Sequence, residues 1–353
     1  MALYSSILEE DIRQVCSDGA IPWEKLRGKT LLITGASGLI GKNLIYTLLA
    51  ANAQKHLDLT ITALVRDRER AAEQFPAPGR ALRFVEGRVE KLPDIPGDAD
   101  YIIHGASPTA SAYFVQHPLE TIRTAVWGTW DLLELARQKG AEGFLYLSSM
   151  EVYGANTSDG PIGEDAPAFI DPMKVRSCYP EAKRLCENLC AGHWSEHRVP
   201  AKAIRLAQTF GTGVAADDAR VFAQFVRSVL KDENIVLKTD GTARQSYLYT
   251  SDAVSAILTV LLCGEPGEAY NAANPDTCCS ILEMAEMVAR DLAQGRIRVE
   301  IRPDPEGASI YPPPRRVDLR TDKLYGLGWR PVWGLQGMFR RMYEDLLERR
   351  GDR

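Results

Sequence analysis

At 353 residues, 45% of them hydrophobic and 25% charged, the chain is long enough to bury one large core, or a large core with a smaller second lobe. A net charge of −5, with Lys, Arg, Asp and Glu scattered in balance, offers no basic stripe for a phosphodiester backbone, so no nucleic-acid partner is expected. The opening MALYSSILEEDIRQVC is acidic early and holds no apolar run of signal-peptide or membrane-span length, which predicts a cytoplasmic protein with no membrane partner.

The first 26 residues read as an amphipathic helical extension, in which Asp11 or Ser17 could cap a helix. The first sharp signal is KTLLITGASGLIGKNLIYTLLAA, residues 29–51, where a short apolar strand enters a glycine-rich turn and then a helix with apolar residues at 3–4 spacing. Further strands are predicted at LTITALVR, ALRFVEG, DYIIHGA and GFLYLSS, with helices between them, including TIRTAVWGTWDLLELARQKG. That alternation predicts an α/β fold built on a parallel, doubly wound sheet.

Beyond Ser149 the stretch ANTSDGPIGEDAPAFIDPMKV is rich in turn formers and reads as a loop over a site. A helix carries YPEAKRLCENLCAGHW, a strand follows at PAKAIRLA, and strands recur around NIVLKT and RQSYLYT among short helices. The organisation expected is a helical extension over 1–26, a Rossmann-type dinucleotide domain over 27–205, and a smaller mixed α/β substrate lobe over 206–353 with segments returning to the sheet.

Gly35, Gly38 and Gly41 form GxxGxxG between a strand and a helix, where a pyrophosphate can meet backbone N–H groups and the helix N-terminus. The whole turn, Gly35, Ala36, Ser37, Gly38, Leu39, Ile40 and Gly41, is the candidate dinucleotide cradle. At the end of the second strand Arg66 argues for the 2′-phosphate of NADP, while the adjacent Asp67 suits the free ribose of NAD, and the choice stays open. Tyr179 and Lys183, four apart at a helix start, share one face. An ammonium beside a phenol favours the phenolate and can also hold a cofactor ribose, making Tyr179 a candidate acid or base.

Seven cysteines, without a CxxC pair, indicate neither a disulfide framework nor a zinc ribbon. Cys186, Cys190 and His193 fall at helical spacing and with Cys178 could converge on a metal. The reading taken is of small apolar residues on a packed helix face, and no metal is expected.

The order of TGASGLIG, DYIIHGAS, SSMEVYG, RSCYPEAKR, RLAQTFGTGV and GTARQSYLYTSDAV resembles the extended short-chain dehydrogenase/reductases, over nearly the whole chain from Lys29. Within them, GASPTASAYFVQHPLETI and RSCYPEAKR look most like UDP-glucuronate decarboxylases, with nucleotide-sugar dehydratases and epimerases close behind. The resemblance implies tightly bound NAD or NADP, a nucleotide-diphosphate sugar substrate and a homodimer built from paired helices. By motif position, Ser149 matches a residue that hydrogen-bonds the sugar 4-hydroxyl, Tyr179 the base that takes its proton, and Lys183 the residue that lowers the tyrosine pKa. Glu151 matches a glutamate of decarboxylases and dehydratases. Val89 and Ala106 fall beside the cofactor, and Ser107, Gln208, Arg220 and Arg244 on the substrate side.

The departures bear on the reaction. Met150 stands where decarboxylases have Ser and 4,6-dehydratases Asp, and a thioether cannot donate a proton. Arg244 comes one residue before the family's usual arginine, leaving Gln245 in its place, and one step along a strand reverses the face. Ala125 replaces an Asn and Arg88 an Asp. The expected function is a nucleotide-sugar enzyme working through a 4-keto intermediate, as decarboxylase, epimerase or dehydratase. The alternatives are an NAD(P)H-dependent reductase of an activated sugar or related carbonyl, and a non-catalytic dinucleotide-binding regulatory protein.

Overall fold

The computed structural model describes residues 4–75, 79–155, 160–303 and 316–351, and residues 156–159 of the expected loop fall outside them. Among the described residues, seven strands form the central sheet: β1 (Thr30–Thr34), β2 (Thr60–Val65), β3 (Leu82–Glu86), β4 (Tyr101–His104), β5 (Gly143–Ser149), β6 (Ala201–Leu206) and, later in the chain, β10 (Ala269–Ala272). Their order is β10-β6-β5-β4-β1-β2-β3, and every pair is parallel. Because helices cover both faces, the central strands read as continuous apolar runs, and Leu31, Leu32 and Ile33 of β1 are all fully buried. This is the Rossmann-type doubly wound sheet expected from the alternation.

The helices are α1 (Ser6–Cys16), α2 (Leu39–Lys55), α3 (Arg68–Gln74), α4 (Ser111–Gln116), α5 (Pro118–Lys139), α6 (Cys178–His197), α7 (Val221–Lys231), α8 (Thr250–Cys263), α9 (Ile281–Met287), α10 (Asp322–Gly326) and α11 (Leu335–Gly351). One face of the sheet packs Leu132 and Leu133 of α5 and Cys186 and Cys190 of α6 against Leu32, Ile102, Phe144 and Tyr146. The other packs Leu44 and Leu48 of α2 and Ile257 and Leu261 of α8 against Leu31, Ile33 and Leu145. The apolar spacing read in the sequence is therefore a packed-face signal for both long helices.

The second lobe has its own core, in which Phe210, Phe222, Phe225, Tyr247, Met284, Met338 and Phe339 meet. Its strands are β7 (Gln208–Phe210), β9 (Arg244–Tyr249), β11 (Asn274–Ser280) and β13 (Arg316–Val317), with a separate parallel pair of β8 (Ile235–Leu237) and β12 (Val299–Ile301). Strand β9 is the hub, parallel to β7 and β13 and antiparallel to β11.

The extension is part of the core rather than an appendage, since Leu8, Ile12 and Val15 of α1 join the cluster beneath α2 and α8. The helix cap is Ser5, whose hydroxyl accepts from the Leu8 N–H, which corrects the expectation for Asp11. Asp11 faces inward instead, accepting from Thr212 Oγ1 at 2.5 Å, Tyr249 Oη at 2.8 Å and Arg341 Nε at 3.0 Å. Burial carries its carboxyl above the ordinary range despite these donors. Among the described residues, no helix is long and apolar enough to cross a membrane.

Candidate active site

The sheet order reverses between β1 and β4, and the crevice beyond the carboxyl ends of those strands is where such folds place a ligand. Gly35 leaves β1 with φ +72°, and a β-carbon there would lie 2.7 Å from the Gly105 backbone that leaves β4. A β-carbon on Gly41 would run into the Gly35 carbonyl, so the turn closes only with both glycines in place. Gly38 is the N-cap of α2, with no side-chain cap and no acidic residue in the first turn, so the N–H groups and positive end of a 17-residue helix face the crevice uncompensated by the chain. That arrangement fits a dinucleotide pyrophosphate. Substituting Gly41 with Ala is expected to cost roughly 1–3 kcal/mol of stability through overpacking and to weaken dinucleotide retention, measured by urea unfolding and by the cofactor released on denaturation.

Around the turn, Ala36 is buried and Ser37 exposed. Val89 is buried where Gly128 of α5 makes room for it, and the Ala106 N–H donates to Thr34 Oγ1 at 3.2 Å. Strand β2 ends at Val65, which places Arg66 in solvent and makes Asp67 the N-cap of α3, its carboxylate accepting from the Arg70 N–H at 2.9 Å.

Ser149 ends β5, and the Met150–Tyr153 turn that follows carries Glu151. Helix α6 begins at Cys178, so Tyr179 lies in its first turn and Lys183 one turn further, beside the β5 end. The structure brings these residues together: the Ser149 hydroxyl, which accepts from the Glu151 N–H at 3.2 Å, stands close enough to the Tyr179 phenol to favour its charged form, and the Lys183 ammonium stands 5.6 Å from the Tyr179 ring centre. Phe114 of α4 stacks on Tyr179 with centroids 4.3 Å apart at 12°, fixing the plane of the phenol. Met150 is buried and brings no proton donor to the turn.

Lys183 is buried, donates to the Leu147 carbonyl at 2.6 Å and lies over the Tyr146 ring at 4.6 Å. An ammonium has three donors, so Leu147 leaves two for a ribose. Burial brings Lys183 down to about 8, against the pull of Cys186 and Glu187. Tyr179, however, is pushed up to about 12 by burial and by the Glu151 charge, which outweigh Ser149 and Arg176. The depressed phenol expected from Lys183 is not what the protein side chains alone produce, because desolvation works against both charged forms. His104, at the end of β4, hydrogen-bonds Thr34 Oγ1 through Nδ1 at 2.7 Å and is driven down to about 3 by burial and by Lys183, so it is neutral.

Arg176 was not singled out from the sequence. It reaches Glu151 Oε1 at 2.9 Å, and its guanidinium lies 5.0 Å from the Phe114 ring centre. Each partner of this ion pair is 19% exposed, so Glu151 is held by the chain rather than standing as a solvated strand-end carboxylate. The signal available was its position three residues before Tyr179 in RSCYPEAKR; Phe114, far off in sequence, gave none.

The expected substrate residues are placed more widely. Ser107 donates to the Pro108 carbonyl at 3.1 Å, and Gln208 lies half-buried in β7 opposite Tyr247. Arg220, the N-cap of α7, is gripped by Asp218 at 2.6 Å and stacks over Phe222 at 4.7 Å, so a pyrophosphate there would compete with an internal carboxylate. Arg244 pairs with both oxygens of Glu283 at 2.8 Å, whereas Gln245 on the opposite face of β9 donates to Tyr247 Oη at 3.3 Å. The one-residue displacement therefore changes the partner, as strand alternation requires.

The profile of the NAD dependent epimerase/dehydratase family matches residues 31–273, from β1 through the glycine turn and the Tyr179–Lys183 pair to the last central strand. The chain belongs to the NAD-dependent epimerase/dehydratase family. Within this epimerase/dehydratase family it is 30% identical over 308 residues to UDP-glucuronic acid decarboxylase 1 of Danio rerio, covering 87% of this chain and 70% of that protein. Among solved structures it resembles the UDP-glucose 4-epimerase of Thermotoga maritima, with a TM-score of 0.76, 21% identity, and coverage of 91% of this chain and 99% of that one. It also resembles the UDP-glucuronic acid 4-epimerase of Bacillus cereus, solved with UDP-glucuronic acid and NAD, with a TM-score of 0.74, 18% identity, and coverage of 90% and 99%. The fold is that of these family enzymes.

Proposed function

We propose that this chain is an NAD(P)-dependent nucleotide-sugar-modifying enzyme that works through a 4-keto intermediate, with decarboxylation of UDP-glucuronate as the favoured outcome. The observation that carries the reading is the Ser149–Tyr179–Lys183 cluster with Glu151 and Arg176 against it. Ser149 holds the sugar 4-hydroxyl against the Tyr179 oxygen, and Tyr179 takes the hydroxyl proton as the C4 hydride leaves. A bound oxidised nicotinamide would supply the hydride acceptor and a positive charge. Lys183 holds the ribose through the two donors Leu147 does not use.

The C4 ketone then serves as an electron sink. A 6-carboxylate is β to it, so the C5–C6 bond breaks, carbon dioxide leaves, and the electron pair settles on the ketone oxygen until C5 is protonated; the hydride then returns to C4 as Tyr179 gives its proton back to the 4-oxygen, so the product differs from the substrate by carbon dioxide alone. Loss of carbon dioxide needs no acid to protonate a leaving hydroxyl, which agrees with Met150 standing where dehydratases carry Asp. Arg176 is the cation we assign to the 6-carboxylate in place of the displaced Arg244, with Glu151 moving protons at C5.

The relative named as a UDP-glucuronic acid decarboxylase supports this outcome over epimerisation and dehydration. Incubation with UDP-glucuronate followed by mass spectrometry is expected to show loss of one carbon dioxide. An unchanged mass with a new epimer, or loss of water, overturns decarboxylation in favour of the sister reactions. Arg176→Ala is expected to raise KM for UDP-glucuronate by about 10-fold or more, the size of losing a charge-assisted contact, and to leave binding of UDP-glucose unchanged.

Asp67 and a recycled hydride support NAD. Exposed Arg66 supports the second reading, a net NADPH-dependent reductase, which a stoichiometric absorbance change at 340 nm would establish. The intact Ser149–Tyr179–Lys183 cluster weighs against a purely regulatory dinucleotide-binding role. A homodimer through α5 and α6 accords with exposed Trp127 and Leu185 on those helices, and light scattering tests it.

A further inference from the structure

Glu134 on α5 and His193 and His197 on α6 offer a carboxylate oxygen and two imidazole nitrogens that all lie within 4.8 Å of one another. The histidines are one helical turn apart, the spacing that puts two rings on one helix face. His193 is 5% exposed, and its Nδ1 is buried with no hydrogen-bond partner among the described residues. That nitrogen points at Glu134 Oε1 across 3.9 Å, beyond hydrogen-bond range.

The neighbours hold this arrangement in place. Arg137 donates to Glu134 Oε2 at 3.1 and 2.9 Å, which occupies that oxygen and leaves Oε1 toward His193. Trp130 meets His193 edge-on with centroids 5.6 Å apart, and the two histidine rings are 5.5 Å apart at 67°. The cluster also lies at the C-terminal turn of α6, the end that favours positive charge. Two of the α6 thiols turn elsewhere: Cys178 and Cys186 donate to the Phe114 and Ala125 carbonyls.

We propose that Glu134, His193 and His197 form a binding site for one divalent transition-metal ion of the Zn2+ class, which staples α5 to α6. Two imidazoles and a carboxylate are a donor set that Zn2+ accepts, with a fourth position left for water. Ligand bonds near 2 Å require the three atoms to close by roughly 1 Å, a motion open to His197, whose side chain is 42% exposed. This replaces the expectation of no metal and stands independently of the catalytic reading.

Calorimetric titration of the chelator-treated full chain with ZnCl2 is expected to give one ion per chain. His197→Ala, at an exposed position that leaves the fold intact, is expected to weaken that binding by more than about 10-fold, since even residues that only orient ligands change metal affinity by that much. Glu134→Gln is expected to act in the same direction. Cu2+ is expected to quench fluorescence in the parent and less in Trp130→Phe, which removes the indole that meets His193 edge-on. Absence of saturable binding overturns the site. So does one-to-one binding that His197→Ala leaves unchanged, as the adjoining Cys278 and Cys279 thiols would give.

Discussion

Tyr179→Phe is expected to lower turnover of UDP-glucuronate by about 100- to 10,000-fold, the range that a positioned acid–base group supplies, with dinucleotide binding unchanged. The separation is clean because the substitution keeps the ring that stacks on Phe114 and removes only the phenol oxygen. Pre-steady-state absorbance at 340 nm and equilibrium cofactor titration check the two halves. Turnover retained within about 10-fold of the parent would remove Tyr179 from the chemistry. Since the phenol alone is pushed up to about 12, the variant's residual activity is also expected to lose the parent's rise with pH. Lys183, down at about 8, adds its own limb: above that pH the site loses its buried positive charge, and cofactor binding weakens.

The second large effect lies far from the chemistry. Asp11→Ala is expected to destabilise the protein by about 3 kcal/mol, the low end of what losing one partner of a buried ion pair costs. Arg341 is only 9% exposed, and after the change Glu10 at 3.1 Å is its remaining carboxylate partner. Thr212 and Tyr249 lose an acceptor at the same time. The shift in urea midpoint measures this, and Asp11→Asn, which keeps an acceptor oxygen, is expected to cost less. An unchanged midpoint would mean that the extension is not integral to the folded core.

The two residues differ in how they could be found. Tyr179 was legible because YxxxK is a local pattern, set by the helical turn, and the glycine turn and LSS strand end occur before it in the expected order. Asp11 was misread as a cap because acceptance from residues 201, 238 and 330 positions away leaves no trace in local spacing. Arg176 and Phe114 were missed for a related reason. Their roles come from an ion pair and a ring stack assembled across α4, the turn after β5 and the approach to α6.

By itself the sequence determined the alternation of strands and helices, the glycine turn between β1 and α2, and the Tyr179–Lys183 pair, because periodicity and short spacing obey local stereochemistry. Only the tertiary structure decided that Glu151 is held by Arg176, that Arg244 turns to Glu283, that burial sets Tyr179 and Lys183 against their charged forms, and that Glu134 meets two histidines. Those outcomes depend on desolvation and on contacts between distant segments, which exist only once the sheet and its two helical layers have packed.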